Sequence, residues 1–310
     1  MSRHAIAEIA EQLHLAALRA ALASVVLVNE EAASHVVTPP LLAAVAALAM
    51  LRMRYSPKAR MSERAIFIGI DIGASAIKLG LFSLNEERRL VCIAQEVDPC
   101  APGSMTSTQL VQRMREIASD LVSTVPLACW RDVKGVGMAI PGRVEDGCVL
   151  NPANFPRFGP KVDLARETCE CFEVATVRVC NDANAALLGE MHFRVAADDC
   201  VLITLGSGVG AAVLSNGRLM TGSTGMFGEI GHTIVHFDAN ARVNKFTGVR
   251  GIVEEYASAR AVQTTWTEMY PALPYPGLAA VFAKQSAETC AVADFTIEHI
   301  AALVVNAARL

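Results

Sequence analysis

The stretch from Val177 to Glu229 constrains this chain most. An apolar run, Val177-Arg178-Val179-Cys180, ends in Asn181-Asp182, where a helix-forming segment from Ala183 to Arg194 begins. A second run, Cys200 to Leu205, ends in the loop Gly206-Ser207-Gly208. Short continuous apolar runs read as strands buried on both faces, in a sheet covered by helices. A carboxylate at the tip of one strand and a glycine loop at the tip of the next point to phosphoryl transfer. The carboxylate can take a proton from an alcohol, while backbone N–H groups of the loop hold anionic oxygens. Asp182 equally suits a helix N-cap. The two readings are compatible, because a residue at a helix start faces the crevice at the strand ends where α/β sheets bind ligands.

With 310 residues, 53% of them hydrophobic and 19% charged, the chain can build two lobes with real cores. A formal charge of −4 gives no basic footprint, so no nucleic-acid partner is expected. Nine cysteines without a Cys-x-x-Cys pair predict buried, reduced thiols in a cytoplasmic protein, not a disulfide scaffold or metal site. Residues 1–64 stand apart as a helical N-terminal segment. Ile6 to Val28 and Leu41 to Met53 read as helices separated by Pro39-Pro40. The first carries Glu8, Glu11, His14 and Arg19, and the second is short of the ~20 apolar residues a membrane span needs. Arg52, Arg54, Lys58 and Arg60 follow the apolar stretches, whereas a signal peptide places its basic region first. The turn chemistry and basic recognition helix of a helix-turn-helix domain are missing. The segment is either an appendage or upstream sequence ahead of a start at Met61.

Residues 65–175 read as a first α/β lobe and 176–310 as a second. Ile66 to Ile70 is a buried strand that delivers Asp71-Ile72-Gly73-Ala74-Ser75 at a turn; Ile77 to Ser83 returns and Leu90 to Val97 follows. Asp71 and Ser75 on this turn either hold a hydrated Mg²⁺ beside a nucleotide's phosphates or make a plain hairpin. Gln109 to Thr124 is an amphipathic helix, and Val133 to Ile140 is a strand turned by Pro141-Gly142. The loop Asn151 to Pro156 offers Asn151 and Asn154, whose amides suit sugar hydroxyls or an Asx-turn. Asn216-Gly217 signals a hairpin. Gly228-Glu229-Ile230-Gly231-His232 reads on its own as a solvated turn. Val253 to Gln263 and Thr296 to Leu310 read as helices. Strand, glycine turn, strand and carboxylate recur in both halves, as in two related lobes.

In order and approximate spacing, six of these segments resemble the ROK family of bacterial-type sugar kinases and related repressors. They are Asp71 to Ser75, Ile140-Pro141-Gly142, Asn151 to Asn154, Asn181 to Ala185, Leu205 to Gly210, and Gly228 to His232. The resemblance implies an actin-like, ribonuclease-H-like α/β ATPase fold with two lobes around a central cleft, where ATP and sugar meet. It implies that Asp182 is the general base. It also implies that Asn154, Asn181, Glu229, His232 and Glu254 bind sugar. Asp71, Gly73 and Ser75, with Gly206, Ser207 and Gly208, become the two phosphate loops. The activity implied is an ATP-dependent hexose kinase, with Mg²⁺ and most simply a glucokinase of glycolysis. Mannose and N-acetylmannosamine suit the same residues, and polyphosphate is an alternative donor. A soluble homodimer is implied, with no membrane partner.

Three departures from the family pattern stand out. The family's zinc is held by the histidine of Gly-His and three cysteines, yet residues 241–252 contain no cysteine, so no zinc is expected. The first phosphate loop carries Ala74, Ser75 and Ala76 where the family has Gly-Thr-Lys, leaving Lys78 as the nearby cation. The family pattern also continues beyond the equivalent of Leu310 to a strand and an adenosine-packing Gly-Gly segment, so a second lobe without its last strand is expected. These departures keep a second reading open, a non-catalytic sugar-binding regulator or degenerate paralogue.

Overall fold

A computed structural model describes residues 25–29, 65–73, 75–85, 90–193 and 197–307. The expected helix Leu41–Met53, residues 6–24 of the first expected helix, and Ala74 lie outside them. The chain forms two compact units: an upstream one of residues 33–197 with 221–226, and a downstream one of 1–32, 198–220 and 227–310.

Strand β1 (Val25–Asn29) belongs to the downstream unit and overturns part of the expected helix Ile6–Val28. Its sequence, Val-Val-Leu-Val-Asn, is dominated by β-branched residues, which favour a pleated backbone over a helix.

The upstream unit is built on β2 (Ile66–Ile72), whose seven residues are all buried. Strands β3 (Ile77–Leu84) and β4 (Leu90–Asp98) run antiparallel to one side. Helix α1 (Ser107–Thr124) follows, opened by a capping box in which Thr106 and Gln109 satisfy each other's backbone N–H. Leu110, Met114, Ile117 and Leu121 bring its apolar stripe into the core of Ile66, Ile68, Ile70 and Leu79. Strand β5 (Val133–Ile140) lies parallel to β2. A small antiparallel sheet, β6 (Arg143–Glu145), β7 (Cys148–Leu150) and β8 (Lys161–Asp163), leads to helix α2 (Leu164–Phe172). Strand β9 (Val177–Asn181) then returns parallel to β5, giving the sheet order β4-β3-β2-β5-β9. Helix α3 (Asp182–Phe193) closes the unit. The boundary expected at residues 175/176 therefore falls at 197/198, because β9 hydrogen-bonds to β5.

In the downstream unit, β10 (Cys200–Leu205) pairs antiparallel with β11 (Val209–Ser215), which pairs with β12 (Arg218–Met220). Asn216 and Gly217 both have positive φ, as the expected two-residue hairpin requires. On the other side β1 lies parallel to β10, from Val25 opposite Val201 to Asn29 opposite Leu205. A strand from the N-terminal segment thus flanks β10 on that side. The expected helix Val253–Gln263 is two helices, α4 (Glu254–Ala257) and α5 (Ala259–Met269). Ser258 is extended between them, its hydroxyl capping α5 by accepting the Ala261 N–H. After α6 (Leu278–Phe282) comes α7 (Ala287–Ala307), which begins well before the expected Thr296. By length and composition α7 could cross a membrane. It buries Val292 and Ala293 against Trp266 and Val281, and Leu303, Val304 and Ala307 against the β10–β11 face. One face of α7 thus packs into the unit, with a third of its apolar stretch buried. None of the nine cysteines is in a disulfide; Cys148 and Cys200 are buried, whereas Cys129 is exposed, so the expected burial holds only in part.

One polar contact pins α7. His299 Nδ1 donates to the Phe295 carbonyl at 2.7 Å, which leaves Nε2 as an acceptor for His236 Nε2–H at 2.8 Å. Tyr256 stacks on His299 with the rings 11° apart. Burial first, with His236 and Arg242 adding to it, holds His299 below the usual imidazole range against the pull of Phe295 and Glu298. The unfolded chain therefore binds a proton that the folded chain resists. Stability present above the unfolded value of 6.5 is lost as pH falls through the depressed folded value. We expect Tm, followed by circular dichroism from about pH 7 to about pH 5, to fall more steeply in the native chain than in His299→Gln. Parallel curves would show that this pair does not couple folding to protons.

Candidate functional site

The parallel strands of the upstream unit end level. Asp71 lies opposite Ala139, Ala139 opposite Cys180, and Ile140 opposite Asn181. With strands spaced about 4.8 Å apart, the β2 and β9 ends stand about 10 Å from one another. Asp71 and Asn181-Asp182 thus share the carboxyl edge of one sheet, the edge at which α/β sheets present ligands.

Asn181 performs the capping role that the sequence had left open for Asp182. Its Oδ1 accepts the Asn184 N–H at 3.2 Å and its Nδ2 donates to the Gly142 carbonyl at 3.1 Å. The second bond ties the end of β9 to the Pro141-Gly142 turn after β5. Asp182 becomes the first residue of α3, half-buried, with Oδ1 accepting the Ala183 N–H at 2.9 Å. A carboxylate in the first turn sits at the positive end of the helix dipole, which favours its ionised form. Behind it, the Cys180 thiol is pushed up to about 12, by burial and then by the Asp182 charge. Cys180 is therefore a neutral neighbour of the Asp182 carboxylate.

The loop carrying Asn154 is anchored by its neighbour. Phe155 is fully buried and its N–H donates to Pro152 O at 3.0 Å, which leaves Asn154 exposed. Gly142 has a φ of 108°, and a Cβ there would point at Pro152. The Pro141-Gly142 turn, the Asn151–Phe155 loop and Asn181 are therefore neighbours.

Asp71 is buried and Lys78, directly across from it in the β2–β3 pairing, holds its Oδ2 at 3.1 Å. Gly73 N–H donates to Ala76 O at 2.9 Å, closing the turn, and Ser75 is exposed. Among the described residues no group of three or more His, Cys, Asp or Glu side chains could hold a metal ion. A cation at this edge would rest on Asp71 and on oxygens of its ligand, as small hydrated divalent ions commonly do.

The downstream unit holds the remaining candidates. Gly206 N–H donates to Gly208 O at 3.0 Å, and Gly206 O accepts the Ala259 N–H at 2.9 Å, leaving Ser207 exposed at the tip. Glu254 is turned onto this loop, its Oε2 accepting the Val209 N–H at 3.0 Å. Its other oxygen takes hydrogen bonds from Asn244 at 3.3 Å and Arg260 at 3.2 Å, two residues that sequence reasoning passed over. Asn244, Thr247 and Gly248 carried a turn signal, but nothing local to it named Glu254 as a partner. Glu229 is exposed at the start of a single helical turn, Ile230–His232, and His232 is half-buried at its end. Gly231 packs so closely on β11 that an added Cβ would overlap Val209 O. A glycine is required there by contact. We expect Gly231→Ala to lower the urea midpoint at unchanged slope, a loss of about 1–3 kcal/mol; an unshifted midpoint would mean that the backbone yields.

The family model described as the ROK family matches residues 67–310. A glucokinase from Halalkalibacterium halodurans is 31% identical over 217 residues, which is 67% of this chain and 61% of that protein. An N-acetylmannosamine kinase from Citrobacter koseri is 32% identical over 205 residues, covering 63% of this chain and 62% of the kinase. The chain thus spans about three fifths of the length of these relatives. Among solved structures, a ROK family glucokinase from Streptomyces griseus in complex with glucose and AMPPNP is 27% identical. It aligns with a TM-score of 0.53 over 76% of this chain and 70% of that one. The fold is the actin-like, ribonuclease-H-like α/β fold expected from the sequence.

Proposed function

We propose, from the premise that the chain belongs to the ROK family, that it is an ATP-dependent hexose kinase acting on the 6-hydroxyl of glucose. The observation that carries this reading is the level carboxyl edge of β2, β5 and β9, which brings Asp71, Asn181 and Asp182 to one side of one sheet. Asp182 takes the proton as the sugar oxygen attacks the γ-phosphorus and the bond to the departing ADP oxygen breaks. Asn181, held by Gly142 and Asn184, fixes where that carboxylate starts. Asn154, Asn181, Glu229 and His232 bind the sugar hydroxyls. In the Gly206-Ser207-Gly208 loop, where the Gly206 N–H is already bonded to Gly208 O, the amides of Ser207 and Gly208 receive phosphate oxygens, as does the Asp71-Gly73-Ser75 turn. Mg²⁺, held by Asp71 and those oxygens, would supply neutralisation of the charge that develops on transfer.

Relatives support glucose and N-acetylmannosamine alike, since an N-acetylmannosamine kinase is 32% identical to this chain. A glucokinase is 31% identical to this chain, and a ROK family glucokinase complexed with glucose is 27% identical. A coupled assay of glucose-6-phosphate formation with Mg-ATP tests the reading. Replacing Asp182 by Asn keeps the shape of the side chain and removes the base, so turnover should drop by about 10²–10⁴-fold. A folded variant as active as the native chain would remove Asp182 from the chemistry. A higher kcat/KM for N-acetylmannosamine than for glucose would reassign the substrate.

A further inference from the structure

We infer that Asn244 and Arg260 are positioning residues that hold Glu254 against the Gly206–Gly208 loop, so that Glu254 shapes the phosphate-binding amides. The inference rests on the reading of that loop as a phosphate site. Asn244 is 1% exposed and uses both ends of its amide. Oδ1 accepts the N–H groups of Phe246 and Thr247 and the Thr247 hydroxyl, at 3.0, 3.0 and 3.1 Å. Nδ2 donates to Glu254 Oε1 and to Glu255 Oε1, at 3.3 and 2.8 Å. Three donors on one side and two carboxylates on the other leave a single orientation for the amide.

Two adjacent glutamates converge on this amide, and their mutual repulsion needs an opposing charge. Arg260 provides it, with one guanidinium nitrogen 3.2 Å from Glu254 Oε1 and 3.1 Å from Glu255 Oε1. With Oε1 held in this way, Glu254 Oε2 faces the backbone and takes the Val209 N–H. The glycine loop is then fixed at both ends, through Gly206 O to Ala259 N–H and through Val209 N–H to Glu254. An added Cβ at Gly208 would lie 2.6 Å from Glu254 Oε2, so the glutamate would have to shift to admit it. The consequence for binding is specific. Val209 N–H is withdrawn from the anion, and Arg260 and Asn244 offset a carboxylate that would otherwise repel a phosphate at the loop.

Asn244→Asp separates the two arms of the network. It keeps an acceptor for Phe246 and Thr247 but replaces the donors facing Glu254 and Glu255 with negative charge. Glu254→Gln is the second variant, weakening the bond to Val209 N–H without moving the loop around residue 247. In both, KM for Mg-ATP should rise about tenfold, the loss of roughly one charge-assisted hydrogen bond. Amide exchange at Val209, read by mass spectrometry on the full chain without nucleotide, should accelerate by a similar factor. Unchanged exchange at Val209 with unchanged KM for Mg-ATP in either folded variant would overturn the inference. So would a rise confined to the KM for glucose, which is what a sugar contact predicts. If the native chain phosphorylates nothing, the kinase reading fails, while exchange at Val209 still decides whether this network holds the loop.

Discussion

Three parallel strands, β2, β5 and β9, are hydrogen-bonded in a register that ends them together, and the chemistry of the upstream unit depends on that register. Each strand is followed by a turn or a helix start, so the residues just past the ladder are released from strand geometry at one edge. Burial enforces the alignment. Every residue of β2 is buried, and a slip of one position would exchange the side chains of its two faces. The identity of Asp71 and the capping bonds of Asn181 then act on a scaffold that leaves them little freedom. Asp182 inherits its place from the strand before it and its electrostatic setting from the helix after it.

The downstream unit achieves order by a different route, through backbone-to-backbone approach. Gly231 lies on Val209 O, Gly228 lies over Ala211, and the loop at Gly206 is bonded to the junction between α4 and α5. Around these contacts residues 241–252, where the family pattern has its zinc cysteines, are organised by Asn244. A buried amide with every donor and acceptor engaged fixes this loop, at the risk that any lost partner leaves a polar atom stranded in the interior.

Much of this was legible in the sequence because it is local. The apolar runs at Ile66 and Cys200, the Asn216-Gly217 hairpin and the Gln109–Thr124 helix all follow from short-range pattern. What failed was long-range or weak in pattern. The unit boundary moved from 175/176 to 197/198 because strand pairing between β5 and β9 leaves no periodic trace in either strand. Val25–Asn29 followed an alanine-rich stretch, and its β-branched character was outweighed until a partner strand, β10, was supplied. Ser258 was hidden inside an apparently continuous helix because capping chemistry is common and only a break makes it visible. Of the candidate site, the residue types and their strand-end positions were readable. The turning of Glu254 toward Val209 was not, because Asn244 and Arg260 meet it only after the loop has folded.

The Lys78–Asp71 pair carries a consequence of its own. Across the β2–β3 ladder the ammonium group sits on Oδ2 of the carboxylate proposed to hold a divalent cation, and Lys78 keeps more than a third of its side chain in solvent. Asp71 thus holds a tethered counter-ion, which makes cation entry an exchange instead of a simple addition. A dication at Asp71 would compete with the ammonium for this carboxylate, and a displaced ammonium would stay tethered to its strand. Ion pairing of this sort resists monovalent salt poorly at the surface yet resists a lone dication better than a bare carboxylate would. Selectivity for a metal–anion complex over the free metal can arise from that competition alone.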